Sequence, residues 1–303
     1  MPYRNWIIIL VLISNALTSN AQQDPVVSQY MFNPLTFNPS YAGINNVANV
    51  NLNSRFQWTS FEGSPTTYNL TASTSLVNGK VGLGVLLLND NIGISNTSEV
   101  QMSYAYKISS THYTFSFGLQ TGYISYQKNF EDLNLSVADD PLFQPGSEKV
   151  NKFNVGAGIS LMADNFFIGL SVPKLINSTG EEGVDIQTYE RHFYLIGAYL
   201  FDFKPGLKMK PSVLVRGVAG APPSVDLNVS FLINSQFWAG AFTRNFGTFG
   251  LMAQFDYLDA YKIGYSFEIL GNSFIGGTLP THEVMLSVDF ALFNHQDVYK
   301  RFF

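Results

Sequence analysis

The chain has 303 residues, of which 46% are hydrophobic and 15% aromatic but only 13% charged. That is about half the charged share of an ordinary soluble domain, so much of the surface is not written for water. The formal charge of −5 leaves no basic footprint for nucleic acid, and the absence of cysteine excludes a disulfide framework and any thiolate metal site.

The N-terminus reads as an export signal. Arg4 is basic, Trp6–Ile13 is a compact apolar run, and Ser19-Asn20-Ala21 ends on a small residue. Cleavage after Ala21 is expected, with a mature start at Gln22. The apolar run is well short of the ~20 residues that span a bilayer as a helix. Residues 22–45 lack clean alternation and are punctuated by Pro25, Pro34, Pro39 and Gly43, which predicts an ordered but irregular lead segment.

From residue 46 to residue 293 the period changes to two, the side-chain period of a β-strand. Val50, Leu52 and Phe56 oppose Asn51, Asn53, Arg55 and Gln57. Tyr68, Leu70 and Ala72 oppose Asn69, Thr71 and Ser73. Further strands are predicted from 81, from 100, over 113–126, around 153–161, over 166–172, and near 191–202, 208–219, 225–234, 236–243, 247–257, 261–269 and 283–292. Loops rich in turn residues fall at 128–149 and 177–183. The sum is about fourteen strands, an even number. A soluble sandwich or propeller would set Lys, Glu and Thr on its wet face. Here that face carries Asn, Ser, Gln and Gly, and aromatic residues stand near strand ends. This predicts an all-β, transmembrane antiparallel barrel with apolar side chains toward lipid and polar ones toward a lumen. Residues 294–303 are left as a C-terminal tail.

By this register Gly82, Gly84, Gly118, Gly122, Gly156, Gly158 and Gly264 project inward. They mark either wall curvature or close approach by another backbone, and residues 22–45 folded into the lumen as a plug would supply one. Inward Arg55, Gln57, Lys107, Asp226, Asp256, Glu268, Glu283 and Asp289, with Lys262, are expected to line the lumen. They form either an ion-pair network bracing the wall or a polar path. Asp139, Asp140, Glu181 and Glu182 read as solvated loop acids rather than a calcium site. No histidine, serine or glycine pattern for metal, nucleophilic or phosphate chemistry occurs, so neither an enzyme nor a cofactor is expected.

The run Asp24-Pro25-Val26-Val27-Ser28-Gln29-Tyr30-Met31-Phe32-Asn33-Pro34-Leu35, followed by Asn38-Pro39-Ser40-Tyr41-Ala42-Gly43, resembles the opening signature of the PorP/SprF family. These are outer-membrane proteins of the type IX secretion system of Bacteroidetes. Arg55-x-Gln57-Trp58, Gly63-x-Pro65, Gly82-x-Gly84, Asn89-Asp90, Gly264-Tyr265-Ser266-Phe267, His282-Glu283 and Arg301-Phe302-Phe303 continue the likeness. Ser40 stands where the family usually has Ala, and Phe267-Glu268 where Tyr-Asp is frequent. The resemblance implies an outer-membrane protein that aids secretion or anchoring of a cargo, such as a gliding adhesin, by engaging its C-terminal domain. It also implies contact with periplasmic secretion machinery. Phe32, Asn33, Pro34, Asn38, Pro39 and Tyr41 are the candidate partner-binding residues, or the rigid turns of a structural plug. A channel for small solutes is the alternative function.

Overall fold

The computed structural model describes residues 27–130, 146–176, 191–218, 221–271 and 279–303. The expected signal peptide, residues 22–26, and the loop acids Asp139, Asp140, Glu181 and Glu182 lie outside the described residues. Three short 3-10 helices come first, η1 (Tyr30–Phe32), η2 (Pro34–Thr36) and η3 (Pro39–Tyr41). Strands then follow as β1 (Ala48–Phe56), β2 (Thr66–Leu76), β3 (Val81–Ile92), β4 (Ser95–Ser109), β5 (Tyr113–Asn129), β6 (Ser147–Ala163) and β7 (Phe166–Val172). The second half holds β8 (His192–Tyr199), β9 (Phe201–Lys204), β10 (Leu207–Val218), β11 (Ser224–Ile233), β12 (Phe237–Arg244), β13 (Thr248–Tyr257), β14 (Tyr261–Leu270) and β15 (Thr281–Phe290).

Every neighbouring pair is antiparallel, and β15 returns to β1 with Phe290 opposite Ala48 and His282 opposite Phe56. The sheet is therefore closed and has no free edge to manage. Strands β8 and β9 are one stave: Ala198 faces Ser212 and Phe201 faces Met209, so the register runs on through Leu200. At Leu200 the N–H turns to the other neighbour, donating to the Asn165 carbonyl (2.7 Å). The wall thus has fourteen staves, as the alternation predicts.

The faces are inverted relative to a soluble protein. In β1, Val50 and Leu52 are exposed at 36% and 39%, whereas Asn51, Asn53 and Arg55 are at 1%, 3% and 2%. In β5, Phe117, Leu119 and Tyr123 point out while Ser116 and Gln120 are buried. A chain whose apolar residues face outward and whose amides and charges are sequestered has lipid for its outer solvent.

Connections at one end, such as 77–80, 164–165 and 234–236, are short. Those at the other end include 57–65, 130–146 and 173–191. In outer-membrane barrels short turns face the periplasm and long loops face outward. Both strand termini, Ala48 and Phe290, sit at the short-turn end. The wall is lopsided: β5 and β6 have 17 residues each, β7 only 7 and β12 only 8. A 17-residue tilted strand climbs roughly 40 Å, against an apolar band of about 25 Å. The excess lies on the loop side, where outward residues change from Tyr123 and Phe153 to Ser125, Gln127, Lys149 and Asn151.

Candidate functional site: the filled lumen

Residues 27–47 run down the inside of the wall. Ser28 lies beside Arg55, one residue from the loop-side end of β1. Asn33 lies by Asn51 and Thr71 in the middle of their strands. Ser40 is held by Ser116 and Ser160 toward the short-turn end. The path is stiffened locally by two Asn-Pro steps. The residue before proline is pushed out of the helical region, and proline suits the first helical position. Accordingly Asn38 is extended (φ −134°, ψ 110°) and its side chain accepts the Ser40 N–H that opens η3.

Wall and segment meet at glycines. A Cβ added at Gly82 would collide with the Ala42 carbonyl, at Gly118 with the Ser40 backbone, at Gly158 with the Asn38 amide, and at Gly264 with the Gln29 amide. At Gly84 it would crowd Ala42 and Leu35 at 3.2 and 3.3 Å. These five inward glycines are thus sites of close approach rather than mere curvature. Gly122 and Gly156 are close approaches too, but not to the lead segment: they face the Val100 carbonyl with Gln101, and the Pro173 backbone, respectively. Between the glycine contacts, Tyr30, Met31, Leu35, Phe37, Tyr41 and Ile44 pack on inward Phe167, Tyr194, Ile196, Leu214 and Met252. Burying each large side chain contributes about 1.5–3 kcal/mol.

Polar groups anchor the segment at the loop side. Glu283 accepts the Ser28 N–H (2.7 Å), the Gln29 N–H (3.0 Å) and Asn53 Nδ2 (2.9 Å). The Ser28 hydroxyl donates to Glu268 (2.8 Å) and accepts from Arg55 Nη1 (2.6 Å). Arg55 also pairs with Glu268 and, at 3.3 Å, with Glu283. Arg216 and Arg244 hold Asp226 at 3.3 and 2.9 Å, and Arg244 reaches Glu268 at 3.7 Å. Three guanidinium groups therefore face three carboxylates, which is how buried charges become tolerable. At the short-turn side Lys107 donates to the Gly43 carbonyl and to Asn46 Oδ1 (3.0 Å).

The C-terminal tail closes the other end. After Phe290 the chain turns back under the barrel. Gln296 donates to Ser75 O and Thr74 Oγ1, both at 2.9 Å, and Tyr299 donates to Asn45 O (3.0 Å). Lys300 pairs with Asp256, and Arg301 grips both oxygens of Asp289, its Nε at 2.9 Å. Lys210 Nζ donates to Phe302 O (2.8 Å) and stands over the rings of Phe32 (4.5 Å) and Trp238 (4.6 Å). Burial weakens the Arg301 charge, yet Asp289 more than offsets this and holds the guanidinium above its ordinary value. Burial pushes the Tyr299 phenol up. The C-terminal tail is thus tucked into the mouth, where Phe302 and Phe303 pack on the cluster of Leu200, Leu232 and Trp238 beside Phe32.

Of the predicted lumen residues, Arg55, Lys107, Asp226, Asp256, Glu268, Glu283 and Asp289 are buried inside the wall. Gln57 is not in the wall. It lies just past β1, half-buried, with its N–H on Pro65 O (2.9 Å), at the rim of a ≈170 Å³ cavity shared with Trp58, Arg244 and Thr248. Asn33, Pro34, Asn38, Pro39 and Tyr41 are buried, and Phe32 packs edge-on against Trp238 (5.8 Å). As placed, these six offer a partner no open surface. Lys210, Arg216, Arg244, Lys300 and Arg301 belong to the same interior but are absent from the sequence-derived set. Alternation in β10 could have revealed Lys210 and Arg216, whereas nothing local signals the tail's return.

Among solved structures, the chain is similar to the Acinetobacter baumannii outer membrane protein Omp33 at 8% identity, covering 81% of this chain and 100% of that one, with TM-score 0.47. It is similar to the KdgM porin at 11%, covering 80% and 99%, with TM-score 0.40. A third is a TodX deletion mutant described as a monoaromatic hydrocarbon channel, at 9%, covering 84% and 92%, with TM-score 0.46. At these values none bears on function. No curated protein matches the sequence. A family model described as type IX secretion system membrane protein PorP/SprF matches residues 19–288. With its opening signature seated in the lumen of an inverted barrel, the chain belongs to the PorP/SprF family of type IX secretion system membrane proteins.

Proposed function

We propose that this outer-membrane component of the type IX system is an anchor for a secreted cargo protein rather than a conduit, with the lead segment as a plug. The observation that carries the reading is the lumen occupied from loop side to turn side by residues 27–47, with residues 296–303 at its base. A cargo C-terminal domain, such as that of a surface adhesin, then engages the outside of the barrel, and periplasmic machinery meets the short-turn end. The tall, polar β4–β6 rim is the loop-side surface that stands clear of lipid. Phe32, Asn33, Pro34, Asn38, Pro39 and Tyr41 act in this reading as the fixed turns of the plug. Arg55, Lys107, Asp226, Asp256, Glu268, Glu283 and Asp289 act as the brace of wall and plug.

Two measurements test it together. Deleting the chain in its host should remove one class of adhesin from the cell surface while growth on small solutes is unchanged. The purified intact barrel in planar bilayers should show little conductance. A solute-specific growth defect with adhesins intact, or a steady open-channel current, would favour the small-solute channel instead.

A further inference from the structure

The two inserted segments are held in different ways. The lead segment interlocks with wall backbone at glycines, and its Ser28 is built into the Arg55–Glu268–Glu283 cluster. The tail interlocks with nothing of that kind. Its grip is by side chains on wall groups that have other partners. Asp289 also holds Lys262 (2.6 Å) and Asn49 (2.7 Å), and Asp256 also holds Gln254 (2.6 Å). Lys210 keeps the faces of Phe32 and Trp238. The local wall acids Asp256 and Asp289 are matched in number by the wall lysines Lys210 and Lys262. Departure of the tail leaves Asp289 paired with Lys262, but it strips the Asp256 carboxylate of Lys300 and the Lys210 ammonium of Phe302 O, so the vacated seat presents both charges to an incoming segment.

The seat is nonetheless specific. Two adjacent cations meet two separate carboxylates, and the aromatic side chains that follow enter a site lined by Phe32, Trp238 and Met285. The space left between tail and wall is a cavity of only ≈20 Å³. Residues 291–294, which lead to it, are exposed.

We propose that the seat of Lys300–Phe303 is a peptide-binding site occupied in cis by these four residues of the same chain. In trans it takes a peptide segment with two consecutive basic residues followed by aromatic ones. This stands independently of the anchor reading, since it concerns only the short-turn mouth.

The test uses the full chain, folded and purified in detergent, with a site-specific protease sequence inserted between Phe293 and Asn294. Cutting after folding separates the role of the tail in folding from its exchange. A fluorescent peptide of sequence Val298–Phe303 is then added and its anisotropy followed. The cut protein should bind it, unlabelled peptide should displace it, and the uncut protein should bind it far less. A peptide with Lys300→Glu and Arg301→Glu should bind at least about tenfold more weakly, because each substitution sets a carboxylate against Asp256 or Asp289. Three results would overturn the proposal. These are a cut tail that never exchanges, equal binding by the charge-reversed peptide, and equal binding by the uncut protein.

Discussion

Gly82 and Gly118 show what a single position does here. Each sits where the backbone of the lead segment touches wall, so a side chain has no flexible neighbour to push aside. Gly82→Ala and Gly118→Val should each lower stability by roughly 1–3 kcal/mol, as overpacking does, measured by denaturant unfolding in detergent. Gly93, around which a Cβ meets nothing within 4 Å, provides a comparison without wall contact, though its φ of 56° also makes alanine there strained. Arg55 makes the complementary case. Arg55→Met leaves Glu268 and Glu283 short of a buried partner, and about 3–5 kcal/mol should be lost. The Glu268→Gln background should recover part of it, since one stranded charge is then gone. The inward parity of Arg55 and of these glycines was legible from the period of two. Their partners were not, because Ala42, Ser40 and Ser28 lie tens of residues away and are joined to them only in space.

At the scale of elements, the wall strands and the lead segment are read by different rules. Strands announce themselves by alternation, and the fourteen staves were countable from it. The lead segment has no period, only two Asn-Pro steps and a supply of apolar residues. Its counterpart in the wall is the set of inward apolar side chains, such as Tyr194, Ile196, Leu214, Trp238 and Met252. These break the polar-inside pattern where the lead segment and the tail lean on them. In a water-filled channel such side chains would have no apolar partner. Leu35→Ala and Phe37→Ala should therefore cost about 2–5 kcal/mol each, comparable to soluble-core truncations, although both positions lie inside a barrel lumen. Deleting residues 22–45 should raise single-channel conductance well above that of the intact chain. An unchanged current would mean that this segment does not block the path.

At the scale of the molecule, the described residues form a closed wall around residues 27–47 and 296–303, with a tall side at β4–β6 and a short side at β7 and β12. The absence of cysteine makes its sidedness easy to measure. A single cysteine at Gln127, on the loop-side rise, should react with an impermeant maleimide on intact cells. One at Lys204, beside a short turn, should react only after the outer membrane is opened. The reverse pattern would invert the sidedness. Low charge, alternation and the small polar residues of one face were enough to determine barrel, membrane and inside-out packing, because each is a local consequence of which solvent each face of a strand meets. Only the tertiary structure decided that residues 27–47 lie inside the wall, that the signature residues Asn33, Pro34, Asn38, Pro39 and Tyr41 are buried there, and that the terminal aromatics turn inward. Those outcomes depend on contacts between positions up to about 260 residues apart in sequence, such as Asn45 with Phe303, and no local period records them.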